Sequence, residues 1–168
     1  MGLGLALIAA LGLPLSGCSS SGFGSSAFGS NNAKIAELRA DEALTADTAL
    51  LKARSHFRSN DFGYSAAYYK KAVELSPNNV EAYFGLGASY DRLGRFDLSD
   101  RVYAALLKVS GPTLQYHNNV GYSYMLRGDL KEALSNFRKA RQIDPANIIV
   151  ANNMQLLEDA TASAGARS

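Results

Sequence analysis

RGDLKEALSNFRKARQIDPAN, residues 127–147, decides how this chain folds, because two other stretches align with it: SNDFGYSAAYYKKAVELSPNN at 59–79 and LGRFDLSDRVYAALLKVSGPT at 93–113. Successive stretches start 34 residues apart. Self-similarity at such a period marks a stacked-repeat architecture, in which each unit buries its apolar face only against its neighbours. With units numbered from Ala46, Val80 and Leu114, the third carries Val120 and Gly121 at positions 7 and 8, Tyr124 at 11 and Gly128 at 15. Ala133, Phe137, Ala140 and Pro145 follow at 20, 24, 27 and 32. This spacing predicts two antiparallel helices, A and B, per unit. Small residues at 8, 20 and 27 let the helices approach, and large ones at 4, 11 and 24 fill the gap. Gly128-Asp129 is expected to turn the chain between them. Pro145 ends helix B, because the residue before a proline avoids the helical region.

The pattern resembles the tetratricopeptide repeat. That resemblance implies an all-α, right-handed helical-hairpin solenoid with three repeats, at 46–79, 80–113 and 114–147, and a C-terminal capping helix. The second unit keeps Tyr83, Leu86, Gly87, Tyr90, Gly94 and Tyr103, but has Leu106 in place of alanine and its proline one residue late, at Pro112. The first keeps Ala53, Tyr69, Ala72 and Pro77, while His56 and Lys52 stand at positions normally aromatic and apolar. Both fit an end unit with nothing stacked outside it. Residues 148–160 restart the A pattern as the expected cap, 34–45 are helix-prone and predict a leading helix, and 161–168 are expected to fray.

Ahead of the repeats, Met1 to Leu15 carry no charged side chain. The apolar run is shorter than the ~20 residues of a bilayer span, and a break at Pro14 followed by small residues has the shape of a secretory leader. Leu15-Ser16-Gly17-Cys18 resembles the lipobox of bacterial lipoproteins. The resemblance implies a signal peptide at 1–17 and an acylated, palmitate-bearing Cys18 as the mature N-terminus, so that a lipid ties the chain to a membrane. Ser19, rather than Asp, follows Cys18 and by the same resemblance points to the outer membrane, with the domain facing the periplasm. The leader departs from the usual pattern in having neither Lys nor Arg before Cys18. Either the α-amine alone supplies the positive charge or the true start lies upstream. Ala6 stands where N-myristoylation needs Ser or Thr. Residues 18–33 read as a flexible Ser/Gly-rich tether with a root-mean-square reach of roughly 20 Å.

Composition narrows the chemistry. There are 17 basic and 15 acidic residues, net charge +2, and no run of like charge. This argues against nucleic-acid binding, which needs clustered cations to displace phosphate counterions. The single cysteine excludes an intrachain disulfide and a cysteine-based metal cluster. His56 and His117 are 61 residues apart and read as packing or surface residues. Asp41, Glu42, Asp61, Asp91, Asp97, Asp100, Asp129 and Glu132 read as turn or solvent-face residues. The glycines at 22, 24 and 29 match no phosphate-binding loop. No catalytic, cofactor or metal residue is therefore expected; the chain reads as a non-enzyme with no small-molecule substrate.

The resemblance directs attention to a concave groove lined by positions 2, 5, 6, 9, 12 and 13 of the A helices. In this chain those are Leu50, Arg54, Phe57 and Arg58; Glu81, Phe84, Ala88 and Arg92; Asn118, Asn119, Tyr122 and Met125; and Asn152, Asn153 and Leu156. Asn118-Asn119 and Asn152-Asn153 stand one period apart. Two readings stay open: an amide ladder that both donates to and accepts from a bound peptide, or side chains serving the free backbone groups of the first helical turns. Phe57, Phe84 and Tyr122 are candidates for a hydrophobic anchor line, which a leading helix would compete to fill.

The lipobox, the stretch YHNNVGYSYMLRGDLKEALSNFRKARQIDP and the following ANNMQLLEDA are similar to the lipoproteins of tight-adherence (Flp/Tad-type) pilus assembly. What this resemblance implies is an envelope adaptor whose protein partners belong to the pilus or secretion machinery, such as the secretin. The alternative is a lipoprotein adaptor that recruits or regulates periplasmic cell-wall hydrolases or other envelope-biogenesis machinery.

Overall fold

The computed structural model describes residues 34–39 and 43–165. The signal peptide, Cys18 and the tether expected at 18–33 lie outside the described residues. Among those described there are seven α-helices and no strand: α1 Ala46–Arg58, α2 Phe62–Leu75, α3 Val80–Arg92, α4 Phe96–Ser110, α5 Leu114–Leu126, α6 Leu130–Ile143 and α7 Ile148–Gly165. Helices α1, α3, α5 and α7 are of A type; α2, α4 and α6 are of B type. Each packs against its chain neighbours to form the expected solenoid.

The boundaries follow from local chemistry at repeat spacing. Thr45, Asn79, Thr113 and Asn147 lie 34 residues apart, and each accepts a hydrogen bond from a backbone N–H in the first turn of the following A helix. Such caps satisfy donors the helix leaves unpaired. Asp61 and Asp129 do the same for α2 and α6. Between A and B the chain enters the left-handed region at position 15 of every unit: Asn60 (φ 58°), Gly94 (φ 69°) and Gly128 (φ 84°). In the second unit Gly111 (φ 70°) stands where the others have proline, which accounts for the one-residue delay of Pro112.

Packing follows the predicted alternation of small and large side chains. Gly87 lies under the Tyr103 ring and Gly121 under Phe137; a Cβ on either would come within 2.7 Å of a ring carbon. Ala53, Ser65, Ser99, Ala133, Ala72 and Ala140 are fully buried where the helices come closest. The core divides into three clusters. One surrounds Ala49, Ala66, Tyr69 and Leu86; a second, Phe84, Tyr103 and Leu106; a third, Phe137, Ala140, Val150 and Leu157. Leu106 replaces the alanine at position 27 and is fully buried with Phe84 and Tyr103, and α4 packs less closely on α5 than α2 does on α3.

Two ends differ from expectation. No helix forms over residues 34–39 or 43–45. Instead the Ala36 N–H donates to the Gly63 carbonyl at 3.2 Å, and Ile35, Leu38 and Leu44 pack against the first core cluster. Gly63 permits this close approach of two backbones, since a Cβ there would sit 2.5 Å from the Lys34 oxygen. At the other end, α7 continues past Ala160 to Gly165, where fraying is expected from sequence. Thr161 and Ser163 donate from their hydroxyls to the carbonyls of Leu157 and Asp159, keeping their polar groups on the helix. The end-unit residues behave as expected: Lys52 is exposed, and His56 stacks on Tyr64 and Tyr68 at centroid distances of 5.2 and 5.4 Å.

Candidate functional site

Side chains one turn apart on each A helix form the concave face, and its two halves differ in chemistry. On α5 and on α7 as far as Leu156 the groove is uncharged; Asp159, at position 12 of α7, is the carboxylate beyond it. Asn153 donates from Nδ2 to Asn118 Oδ1 at 2.9 Å, linking the two helices. Tyr122 and Met125 are half-buried against the third core cluster, with Leu156 exposed beside them. Ile149, at position 2 of α7, is 60% exposed. The sequence stripe did not include it, although position 2 of the capping helix falls on it.

The asparagines resolve into different roles. The rung joins Asn118 to Asn153, so the ladder has one cross-link instead of two in parallel. Asn119 donates to the Gln115 carbonyl at 2.8 Å, within its own helix, and Asn152 is exposed. The first-turn N–H groups are served by Thr113 and Asn147 instead.

On α1 and α3 the groove is charged. Arg54 pairs with Glu81 through Nε to Oε1 and Nη2 to Oε2, both at 2.5 Å. The hydrogen bonds from Arg54 hold the Glu81 carboxyl below its usual range, and Glu81 in turn raises Arg54. Arg92 lies over the Phe62 ring, 4.4 Å from its centroid, and Phe57 meets Phe62 edge-on at 5.3 Å. The expected line of Phe57, Phe84 and Tyr122 does not form. Phe84 is buried with Tyr103 and Leu106, and Leu50 is buried in the first cluster, so neither lines the groove. Asn118 holds the same position 5 in the third unit, so burial there depends on the residue and its packing partners, which position numbers alone do not reveal. The leading segment does not fill the groove either; it lies on α2, beside Ala67, Lys70, Lys71 and Glu74.

Asp91 also departs from its reading as a solvent-face residue: it is 2% exposed. It accepts from Tyr103 Oη at 2.9 Å and from Ser123 Oγ at 2.6 Å, the latter across the boundary between the second and third units. Arg127 completes the network, donating to Ser123 Oγ at 2.8 Å and to both oxygens of Asp100 at 2.7 and 2.9 Å. Its guanidinium lies between the Phe96 and Tyr124 rings, 4.8 Å from each centroid. Burial pushes the Asp91 carboxyl above its ordinary range, against the pull of the Ser123, Ser99 and Tyr103 hydroxyls and of Arg127. The available signal was positional: Asp91 occupies position 12, where the flanking units carry Phe57 and Met125.

Among the described residues, no three His, Cys, Asp or Glu side chains gather as metal ligands, and no helix is long and apolar enough to cross a membrane. His56 bonds Asp61 and His117 bonds Asn136, so each histidine is engaged within its own unit.

A groove lined by stacked helical hairpins defines the class: a repeat solenoid of the kind that serves as a protein-interaction scaffold. The family follows from comparison. Models described as TPR repeat and tetratricopeptide repeat match residues 53–94, 80–111 and 114–147, and the chain carries a tetratricopeptide-repeat domain. It is similar to heat shock protein STI1 of Saccharomyces cerevisiae, 30% identical over 107 residues, covering 62% of this chain and 18% of that protein. It is also similar to small glutamine-rich tetratricopeptide repeat-containing protein 2 of Mycosarcoma maydis, 26% identical over 120 residues, 64% of this chain and 34% of that one. The chain thus spans a minor part of these relatives. Among solved structures it shares its fold with the first TPR domain of human RPAP3 (TM-score 0.62, 18% identity, 71% of this chain and 94% of that one). YrrB, a TPR protein with an unusual peptide-binding site, matches at TM-score 0.61 and 21% identity, over 67% of this chain and 58% of that one. The first TPR of Spaghetti, bound to the HSP90 peptide SRMEEVD, matches at 0.60 and 16%, over 72% and 96%.

Proposed function

We propose that this chain is an envelope adaptor, tethered by a lipid on Cys18, whose concave face holds an extended segment of a protein partner in support of tight-adherence pilus assembly or its secretin. The observation that carries the binding reading is the Asn118–Asn153 rung, bridging two A helices in a stripe flanked by Tyr122, Ile149 and Leu156. The rung leaves an Asn118 amide donor and an Asn153 carbonyl acceptor for a ligand backbone, while the flanking apolar groups supply burial. Structural neighbours of the same fold include two TPR domains solved with bound peptides, of HSP90 and of HSP70. The anchor and the pilus assignment rest on the sequence resemblances.

Photo-crosslinking from position 149, an exposed groove position, in the native envelope, followed by identification of the captured protein, tests the reading. Secretin or other pilus components are expected. Murein hydrolases would move the assignment to cell-wall adaptors. Tyr122→Ala is expected to reduce capture by about tenfold, as for an aromatic contact at the centre of an interface, while the domain stays folded with melting lowered by its lost packing on the third cluster. Cys18→Ala should release a folded domain from membranes; retention of the unlipidated chain would refute the anchor.

A further inference from the structure

Arg54 and Glu81 occupy positions 9 and 2 of adjacent A helices, so their pair lies on the groove surface. Its two parallel hydrogen bonds use the fork geometry by which arginine grips a carboxylate end-on. Both side chains stay about half exposed, at 43% and 52%, so the pair faces the space a ligand would enter. The floor beneath is closed from α2. The Tyr69 ring fills the space over Gly85, where a Cβ would lie 2.1 Å from a ring carbon. Its phenol feels the charges of Glu81, Arg54 and Arg58.

We propose that Glu81 is a specificity-determining residue, an internal carboxylate that occupies Arg54 and bars acidic peptide tails from the groove, leaving it to uncharged, apolar segments. The proposal rests on the peptide-groove reading above and names the class of segment that groove accepts. An incoming carboxylate must displace Glu81 to reach the Arg54 fork. The exchange replaces one ion pair with another of the same kind and leaves a like charge a few ångströms away, so nothing is gained and repulsion is added. Arg92 is already seated on Phe62. Arg58 is exposed at the end of α1, where solvent and salt screen it. Farther along, α5 and α7 offer the ligand Tyr122, Met125, Ile149, Leu156 and the amide rung, a lining suited to apolar side chains on an extended backbone.

The test uses the full chain in detergent and two labelled probes, followed by fluorescence anisotropy. One probe is the acidic peptide SRMEEVD; the other is its uncharged-tail analogue SRMQQVN with an amidated C-terminus. The wild-type chain is expected to bind SRMEEVD no more tightly than the analogue. Glu81→Gln should strengthen SRMEEVD binding by about tenfold or more, the scale of a charge-assisted pair worth roughly 1.4 kcal/mol, without changing the analogue. The gain should vanish at high salt and in the Arg54→Gln, Glu81→Gln double variant. Tight wild-type binding of SRMEEVD, or no gain in Glu81→Gln, overturns the proposal. Failure of Tyr122→Ala to reduce envelope crosslinking would instead remove the groove reading itself, so the two failures are separable.

Discussion

Asp91 ties the chemistry of one side chain to the acid response of the domain. Its folded-state affinity for a proton is raised by burial, so between the ordinary carboxylate range and that raised value the folded state holds more protons than the unfolded one. Stability from this group therefore grows as pH falls through the window and is lost as pH rises through the folded value. Glu81 and Asp97 act oppositely: their arginine partners lower them, and their contribution fades on acidification. Comparing the wild type with Asp91→Asn isolates the buried group. Melting from neutral to mildly acidic pH should show the wild type gaining on the variant as pH falls; parallel curves would mean that Asp91 does not titrate in that window. Close contact makes a second prediction at this scale. Gly121→Ala puts a methyl 2.7 Å from the Phe137 ring and should cost about 1–3 kcal/mol by overpacking, measured by denaturant unfolding. Glycine at position 8 is legible from the repeat alone. The burial of Asp91 is not, because it depends on Tyr103 from α4 and on Ser123 and Arg127 from α5 and its C-cap converging on one carboxylate.

Among the elements, the helices are the most legible, since caps and left-handed turn residues recur at the repeat spacing and the prolines to within one residue of it. The exception is the segment before α1. Its residues are helix-prone, yet its backbone bonds to the Gly63 carbonyl and its apolar side chains cover the open edge of the first unit. Local propensity yields to an uncovered core. Gly63→Ala should displace this strap. Proteolysis near residues 34–39 should accelerate while the melting of α3 to α7 changes little, and an unchanged cleavage rate would show that the strap does not depend on Gly63. At the far end α7 has Gln155 and Glu158 at positions 8 and 11, where inner units carry glycine and tyrosine. Its outward face is thus polar, as a terminal helix requires.

Across the whole molecule, three core clusters replace one. The seam between the second and third units is held by a hydrogen-bonded carboxylate–arginine network in addition to apolar contact, and α4 and α5 pack less closely there. Repeat solenoids open unit by unit according to their interface strengths. Native-state hydrogen exchange should therefore show α5 to α7 opening at a lower free energy than α1 to α3, and a single uniform opening energy would contradict this division.

The same seam fixes the order of the units. A tandem copy of the second unit inserted after itself would place Ser89 where Ser123 now stands, keeping the hydroxyl, but Leu93 where Arg127 stands. The first copy's Asp91 would then be sealed against the duplicate without its cation, a costly burial. Lengthening this array by simple duplication is closed off at its centre, whereas the seam between the first and second units, joined by the neutral Ser65–Ser89 hydroxyl pair, carries no such barrier. Any lineage that adds a repeat to this scaffold would be expected to do so ahead of Val80.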